Sequence, residues 1–449
     1  MLRRVLVANR GEIAVRIIRA CRSLGVETVL AASAIDRDSL AARMADRTVT
    51  LGPSPSNESY LRVGLLIEAA RGTECDALHP GYGFLSENAQ LSEACAEYGI
   101  TFIGPPPAAV RSVGDKRQAR ALARAANVPI VPGIDRVNHV DDVIAFGKEH
   151  GYPVLVKAAA GGGGRGMFVA RSEQDVRDNL GRASAEALAA FGDGAMYAET
   201  YIERARHIEV QVFADHHGNA THFGDRDCSV QRRHQKLVEE APGPGLGDDL
   251  RNELHASAVR FARHIGYANA GTVEYVYDAD RQRFHFIEMN ARIQVEHPVS
   301  EAVTDTDLVA LQLRVASGEP LPARAPTVSG HAIELRVNAE DAKAGFLPRP
   351  GRITRWLPPE GEGIRVDTHC FEGYLVPPFY DSLLAKLIVH APTRPEALAR
   401  ALDAARAFEV AGVATTLDVH QAILAHPDFQ RGGITTQWLE RELLPGFQG

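Results

Sequence analysis

Residues 3–8 (RVLVAN) form a short apolar strand pattern. Ile13, Ala14, Ile17, Ile18, Cys21 and Leu24 then recur at helical spacing, and Gly25 fits the position just past a helix end. Residues 26–32 (VETVLAA) read as a second strand, and the alternation of strand and helix continues to TFIGP at 101–105. Such alternation predicts an open, doubly wound, mostly parallel α/β sheet. A helix follows from Gly114 through DKRQARALARAAN, and the Pro/Gly break in VPIVPG marks entry into a second unit. That unit reads as strand, glycine loop and strand over 152–170, a helix near 173–190, and strands at 196–202 and 207–215. A polar stretch (224–242), a helix near 248–265, a hairpin and a helix near 305–317 complete it. The Pro-rich GEPLPARAPTVSG (318–330) reads as a linker. Beyond it, strands (HAIELRVNA, GRITRWL, LLAKLIVHA) mix with a helix at 395–409, an α+β pattern.

A length of 449 residues suits two to four domains, and 45% hydrophobic with 24% charged residues excludes a disordered or fibrous chain. The net charge of −8 argues against a nucleic-acid footprint. No apolar run reaches the roughly 18 residues of a membrane span. The opening MLRRVLVANRGE reads as a strand rather than a signal peptide. Five cysteines without CxxC spacing point to a reducing cytoplasm, with no disulfide framework or zinc cluster. Only Lys116, Lys148, Lys157, Lys236, Lys343 and Lys386 represent lysine among 49 basic residues. Where arginine is so favoured, Lys116, Lys157 and Lys236 mark places that need a compact ammonium.

The first strand–helix turn is NRGEIA, without the GxGxxG dinucleotide fingerprint. HPGYGFLSEN (79–88) sets Pro80, Gly81 and Gly83 at the carboxyl end of a strand, as a structural turn or a ligand loop. Gly161, Gly162, Gly163, Gly164 and Gly166, followed by Met167, lie between two β-rich segments. Their backbone N–H groups can converge on phosphate oxygens, and Lys157 and Lys116 can add point charges; otherwise this is a surface hairpin. GTVEYVYD (271–278) and RFHFIEMNARIQVEHP (283–298) suit a hairpin; with 278 opposite 284, Glu274 faces Glu288. Facing carboxylates are unfavourable unless a divalent cation joins them, and Asn290 is a further oxygen donor. In the second run Glu288, Asn290, Arg292, Gln294 and Glu296 share one strand face, and Ile287, Met289, Ala291, Ile293 and Val295 the other, over about 27 Å of extended chain. RDCSVQRRHQK concentrates Arg226, Gln231, His234 and Lys236, either a small-anion site or a solvated charge run. His207 reads as a core histidine and Cys228 as structural.

YPVLVKAAAGGGGRGM, RDCSVQRRHQKLVEEAP, FIEMNARIQVEHPVSE, HPGYGFLSEN, ANRGEIA and VPPFYDSLLAKL occur here in order. Together they resemble the biotin carboxylase branch of the ATP-grasp superfamily over essentially the whole chain. The resemblance implies an N-terminal domain (1–113), an ATP-grasp domain (114–318) with a mobile lid at about 131–203, and a C-terminal α+β domain (319–449). It implies that ATP phosphorylates bicarbonate to carboxyphosphate, whose CO₂ passes to a ureido nitrogen of biotin. By motif, Lys116, Lys157 and the glycine loop would contact ATP phosphates, and Glu199, Tyr201 and Ile202 the adenine edge. His207, Gln231 and His234 would lie at the ribose and phosphates. Glu274, Glu288 and Asn290 would hold Mg²⁺ or Mn²⁺. Lys236, Arg292, Gln294 and the Val295 backbone would bind bicarbonate, with Glu296 as base; Arg336 would stabilise the biotin enolate, and Tyr82 would approach biotin. Two positions depart from the family pattern: Thr200, where lysine is frequent, and Ala160, where a further glycine is common. No Met-Lys dipeptide is present, so the biotin is expected on a separate carrier protein, with a separate carboxyltransferase and a homodimer as further expectations. The alternatives are another ATP-grasp carboxylate–amine ligase and a nucleotide-binding regulator without turnover.

Overall fold

The computed structural model describes residues 2–158, 166–322 and 324–447. Gly161–Gly164 and Ala160 lie outside the described residues; Gly166 and Met167 lie within them. The first unit is a five-stranded parallel sheet in the order Arg47–Gly52, Glu27–Ser33, Arg4–Val7, Ala77–His79, Thr101–Phe102. Its first helix, Gly11–Ser23, buries Ile13, Ala14, Ile17, Ile18 and Cys21, the face that the helical spacing marked out. That face also meets Val309 and Leu313 of the helix Leu308–Ala316, so the second unit closes the core of the first.

The central sheet has eight antiparallel strands, in the order Arg283–Asn290, Asn269–Asp278, Ala205–Ala214, Ala220–Arg232, Gln235–Ala241, His331–Asn338, Leu383–Ala391, Ile364–Thr368. Gln235–Ala241 pairs directly with His331–Asn338, so one sheet runs across the Pro-rich segment 318–330. The polar stretch 224–242 is not a solvated charge run. It forms two paired strands in which Asp225, Arg226, Asp227, Gln231, Glu239 and Glu240 are all buried. A smaller antiparallel sheet orders Gly133–Val137, Met196–Thr200, Val154–Ala158 and Met167–Ala170. The helices Val140–His150 and Glu173–Phe191 cover it through a core of Val143, Val154, Val156, Val176 and Ala198.

The carboxylate hairpin differs from its expected register. Asp278 pairs with Arg283 and Tyr277 with Phe284, one residue away from 278 opposite 284. A bulge at Ile287 then restores the pairing of Glu274 with Glu288. The reason lies in the phases of the side chains: Phe284 and Phe286 face the core, and so does Met289. No single period-two register buries 284, 286 and 289 together, and one extra residue reconciles them. Ile287 is therefore on the open side at 38% exposure, not on the buried face. The strand also ends at Asn290, so residues 288–296 are not one extended array. The chain bends there and enters the helix His297–Thr304 with Glu296 at its N-cap.

Candidate active site

A cleft of about 720 Å³ lies where the three regions meet. Its walls include Tyr82, Lys116, His207, Gln231, His234, Lys236, Glu274, Glu288, Asn290, Arg292, Gln294, Val295, Glu296 and Arg336. Fourteen of the residues singled out from the sequence thus converge on one space.

The HPGYGFLSEN loop is a built turn that also faces this space. The Asn9 side-chain amide donates to the carbonyls of Pro80 and Tyr82, both at 2.7 Å. Gly81 has φ +64, and a Cβ there would stand 3.0 Å from Asn9 and 3.1 Å from Ile13. Only glycine permits that approach, which sets Tyr82 on the cleft wall.

At the centre, the Lys236 ammonium donates to Glu209 at 2.6 Å, Glu274 at 3.1 Å and Glu296 at 2.6 Å. Burial would lower the Lys236 pKa, but these three carboxylates outweigh it and hold the value well above the usual one for lysine. Burial would likewise raise Glu296; Lys236 and Arg336 overcome it, so Glu296 is held below the ordinary glutamate value. Its second oxygen accepts from Arg336 at 2.8 Å, and Arg336 also donates to Glu239 at 2.6 Å. Arg292 donates to Gln294 at 2.7 Å, Asn290 at 2.9 Å and Glu87 at 2.9 Å. Asn290 and Gln294 donate to Glu274 at 2.9 and 3.1 Å.

His207 is not a core histidine. Its ring lies 3.2 Å from Glu274 and lines the cleft. Burial opposes its charge, but Glu274 prevails and lifts its pKa to about 9. Cys228 fits the structural reading: burial and Glu209 push its thiol well above the usual range, away from thiolate chemistry.

Glu274 and Glu288 face each other on adjacent strands. Glu274 is neutralised by Lys236 and His207, whereas burial and Glu274 together raise Glu288. The cation nearest Glu288 is the exposed Lys116 at 3.6 Å. This excess of hard oxygen donors fits a divalent cation. Asn290 fits less directly, because its oxygen already accepts from Arg292.

A second group of expected residues sits on the smaller sheet. Lys157 donates to Glu199 at 2.5 Å, and Arg120, which the sequence reading did not single out, reaches the same carboxylate at 3.2 Å. Met167 is 41% exposed, Ile202 is buried, and the Tyr201 hydroxyl accepts from Gln437 at 2.8 Å.

The sequence reading also missed Glu209, Glu239, Glu87 and Glu12, gave Arg226 no partner and gave Lys386 no role. Arg226 and Glu209 have no exposed surface and pair at 2.5 Å behind Lys236. Glu209 and Gln211 interrupt the apolar strand HIEVQVFAD, a signal that could have found them. Lys386 stood out by the scarcity of lysine alone.

A doubly wound sheet, a second, smaller antiparallel sheet that holds Lys157 against Glu199, and a cleft of facing carboxylates beside a lysine–glutamate–arginine cluster together define an ATP-grasp enzyme. Three family profiles cover the chain: "Biotin carboxylase, N-terminal domain" over residues 1–110, "Carbamoyl-phosphate synthase L chain, ATP binding domain" over 115–324, and "Biotin carboxylase C-terminal domain" over 334–441. Biotin carboxylase 1 of Bacillus subtilis is 48% identical across 98% of both proteins. A Campylobacter jejuni biotin carboxylase, solved as a β,γ-ATP complex, superposes with a TM-score of 0.91 at 44% identity, over 98% of this chain and 99% of that one. The biotin carboxylase domain dimer of Hydrogenobacter thermophilus 2-oxoglutarate carboxylase, solved with MgADP, ADP and bicarbonate, gives 0.89 at 44% identity, over 98% and 97%. The chain belongs to the biotin carboxylase family. It is an ATP-dependent ligase, and its reaction is the carboxylation of biotin.

Proposed function

We propose that Glu296 is the base of this reaction. Bicarbonate gives its proton to Glu296, and the freed oxygen attacks the γ-phosphorus of ATP, releasing ADP and forming carboxyphosphate. Carboxyphosphate then yields CO₂ and phosphate; the phosphate takes the N–H proton of a biotin ureido nitrogen, and the nitrogen so freed bonds to the CO₂. The observation that carries this assignment is the pairing of Glu296: both oxygens are held by cations, Lys236 at 2.6 Å and Arg336 at 2.8 Å, in a buried wall of the cleft. A carboxylate kept ionised and fixed in place is ready to accept a proton.

Lys236, Arg292, Gln294 and the backbone of Val295 bind bicarbonate in this reading. Arg336 serves the carboxyphosphate and the biotin enolate, and Tyr82 meets the biotin ring. Glu274 and Glu288 would hold Mg²⁺ or Mn²⁺, with Asn290 joining if its oxygen leaves Arg292. A cation there would neutralise charge on the ATP phosphates. His207, Gln231 and His234 adjoin the nucleotide, with Lys116, Lys157 and the glycine loop on its phosphates and Glu199, Tyr201 and Ile202 at its base. Residues 131–203 act as a lid, which suits an intermediate that water destroys. The three domains divide at 1–113, 114–318 and 319–449. Biotin arrives on a separate carrier protein, a carboxyltransferase passes the carboxyl group on, and the enzyme works as a cytoplasmic homodimer.

The test is Glu296→Gln, which keeps the shape and removes the base. Bicarbonate-dependent phosphate release should fall about 10²- to 10⁴-fold, with MgATP affinity within about twofold. Undiminished release would remove Glu296 from its role.

A further inference from the structure

Lys386 has no exposed surface and lies on the strand Leu383–Ala391, directly opposite Arg336. Its ammonium donates to the Val295 carbonyl at 3.0 Å and pairs with Glu12 at 3.1 Å. The Val295 carbonyl belongs to the peptide that joins Val295 to Glu296. Held there, Lys386 fixes the backbone of the proposed base from below. Glu12 opens the first helix of the parallel sheet, is buried, and accepts a hydrogen bond from the Tyr82 hydroxyl. One buried ammonium therefore ties together a strand of the C-terminal region, the turn carrying Val295 and Glu296, and the loop carrying Tyr82.

A buried lysine is costly unless it is fully paired, and a methionine of similar length would fill the same space. Packing alone does not call for an ammonium at this position. What it supplies is a donor to one wall of the cleft and a counter-charge to another. We propose that Lys386 is a positioning residue: through the Val295 carbonyl it sets the bicarbonate cradle, and through Glu12 it sets the Tyr82 ring. The two substrate faces are thereby held as a unit. This rests on the reading that Val295 and Glu296 serve bicarbonate and Tyr82 serves biotin.

Two variants separate the arms. Lys386→Met alone leaves Glu12 buried and uncompensated, so the neutral pair Glu12→Gln/Lys386→Met is compared with Glu12→Gln. Steady-state phosphate release is measured against bicarbonate, free biotin and ATP separately, with thermal melting as the check of folding. In the double variant the KM for bicarbonate and that for biotin should each rise about tenfold, while the KM for ATP stays within about twofold. Glu12→Gln keeps the lysine on Val295, so its bicarbonate KM should stay within about twofold and only its biotin KM should rise. An unchanged bicarbonate KM in the folded double variant, or a rise in all three constants together, would overturn the proposal. Failure of the underlying reading looks different: Glu296→Gln would then leave phosphate release undiminished.

Discussion

At the scale of single residues, the cleft is a set of charges that are stable only together. Arg226 is fully buried and donates to Glu209 at 2.5 Å, Gln211 at 2.9 Å, Ser300 at 3.0 Å and Thr272 at 3.1 Å. Glu209 in turn receives Lys236 at 2.6 Å. Removing one member leaves a buried charge short of its partner, the expensive way to break an ion pair. Arg226→Met should cost about 3–5 kcal/mol, read as a lower urea midpoint, whereas Glu209→Gln/Arg226→Met should recover part of that loss. At this scale the sequence was legible where a side chain reaches the cleft. Lys236, Glu274, Arg292 and Glu296 could be singled out because each sat in a polar cluster or an alternating run. Glu209, Glu239 and Arg226 act from behind them. A polar residue inside an apolar strand does not announce whether it meets a partner.

The element scale shows why the hairpin could be half read. Its pairing of Glu274 with Glu288 was legible from length and alternation, but the path to it was not. The bulge at Ile287 exists because Phe284, Phe286 and Met289 all pack into the same core. The partner strand is equally constrained at Gly271. A Cβ there would lie 2.7 Å from both Met289 and Tyr267. Gly271→Ala should therefore destabilise the protein by about 1–3 kcal/mol through overpacking. Chemical denaturation checks it, and Met289→Ala in the same background should relieve part of the strain. The run 288–296 misled in a similar way. Period-two alternation predicted one straight array, yet the strand ends at Asn290 and the residues from Arg292 to Glu296 reach the cleft from a bend and a helix start. Alternation records which residues are polar, and a bend can present them to one space as well as a strand can.

Across the whole molecule, burial of uncharged histidines contributes to the loss of stability in acid. His79 ends the strand Ala77–His79, and burial pushes its pKa down to about 3. His369 packs between the C-terminal region and Gly11; burial, then the nearby Arg10, lowers it to about 3 as well. The unfolded chain protonates these rings near 6.5, whereas the folded protein resists until about 3. Their contribution is intact above 6.5 and is lost as the pH falls towards 3. By pH 5 each should cost about 2 kcal/mol of stability. Urea unfolding at pH 7.5 and pH 5 measures the loss, and His79→Gln should make it smaller.

The amino-acid sequence by itself determined the elements and the chemical inventory. Periodicity assigned helix or strand, turn residues set most boundaries, and the ordered motifs supplied the donors and acids of the cleft. Only the tertiary structure decided how distant pieces complete that cleft. Glu87 reaches Arg292 across 205 positions, Lys386 reaches Val295 across 91, and Gln235–Ala241 joins His331–Asn338 past a segment that reads as a linker. The physical reason is that a local pattern tells which face of an element must be buried, because burial is set by each residue's own polarity. It carries no information on which remote segment does the burying, and a charge held inside the protein is defined by that remote partner.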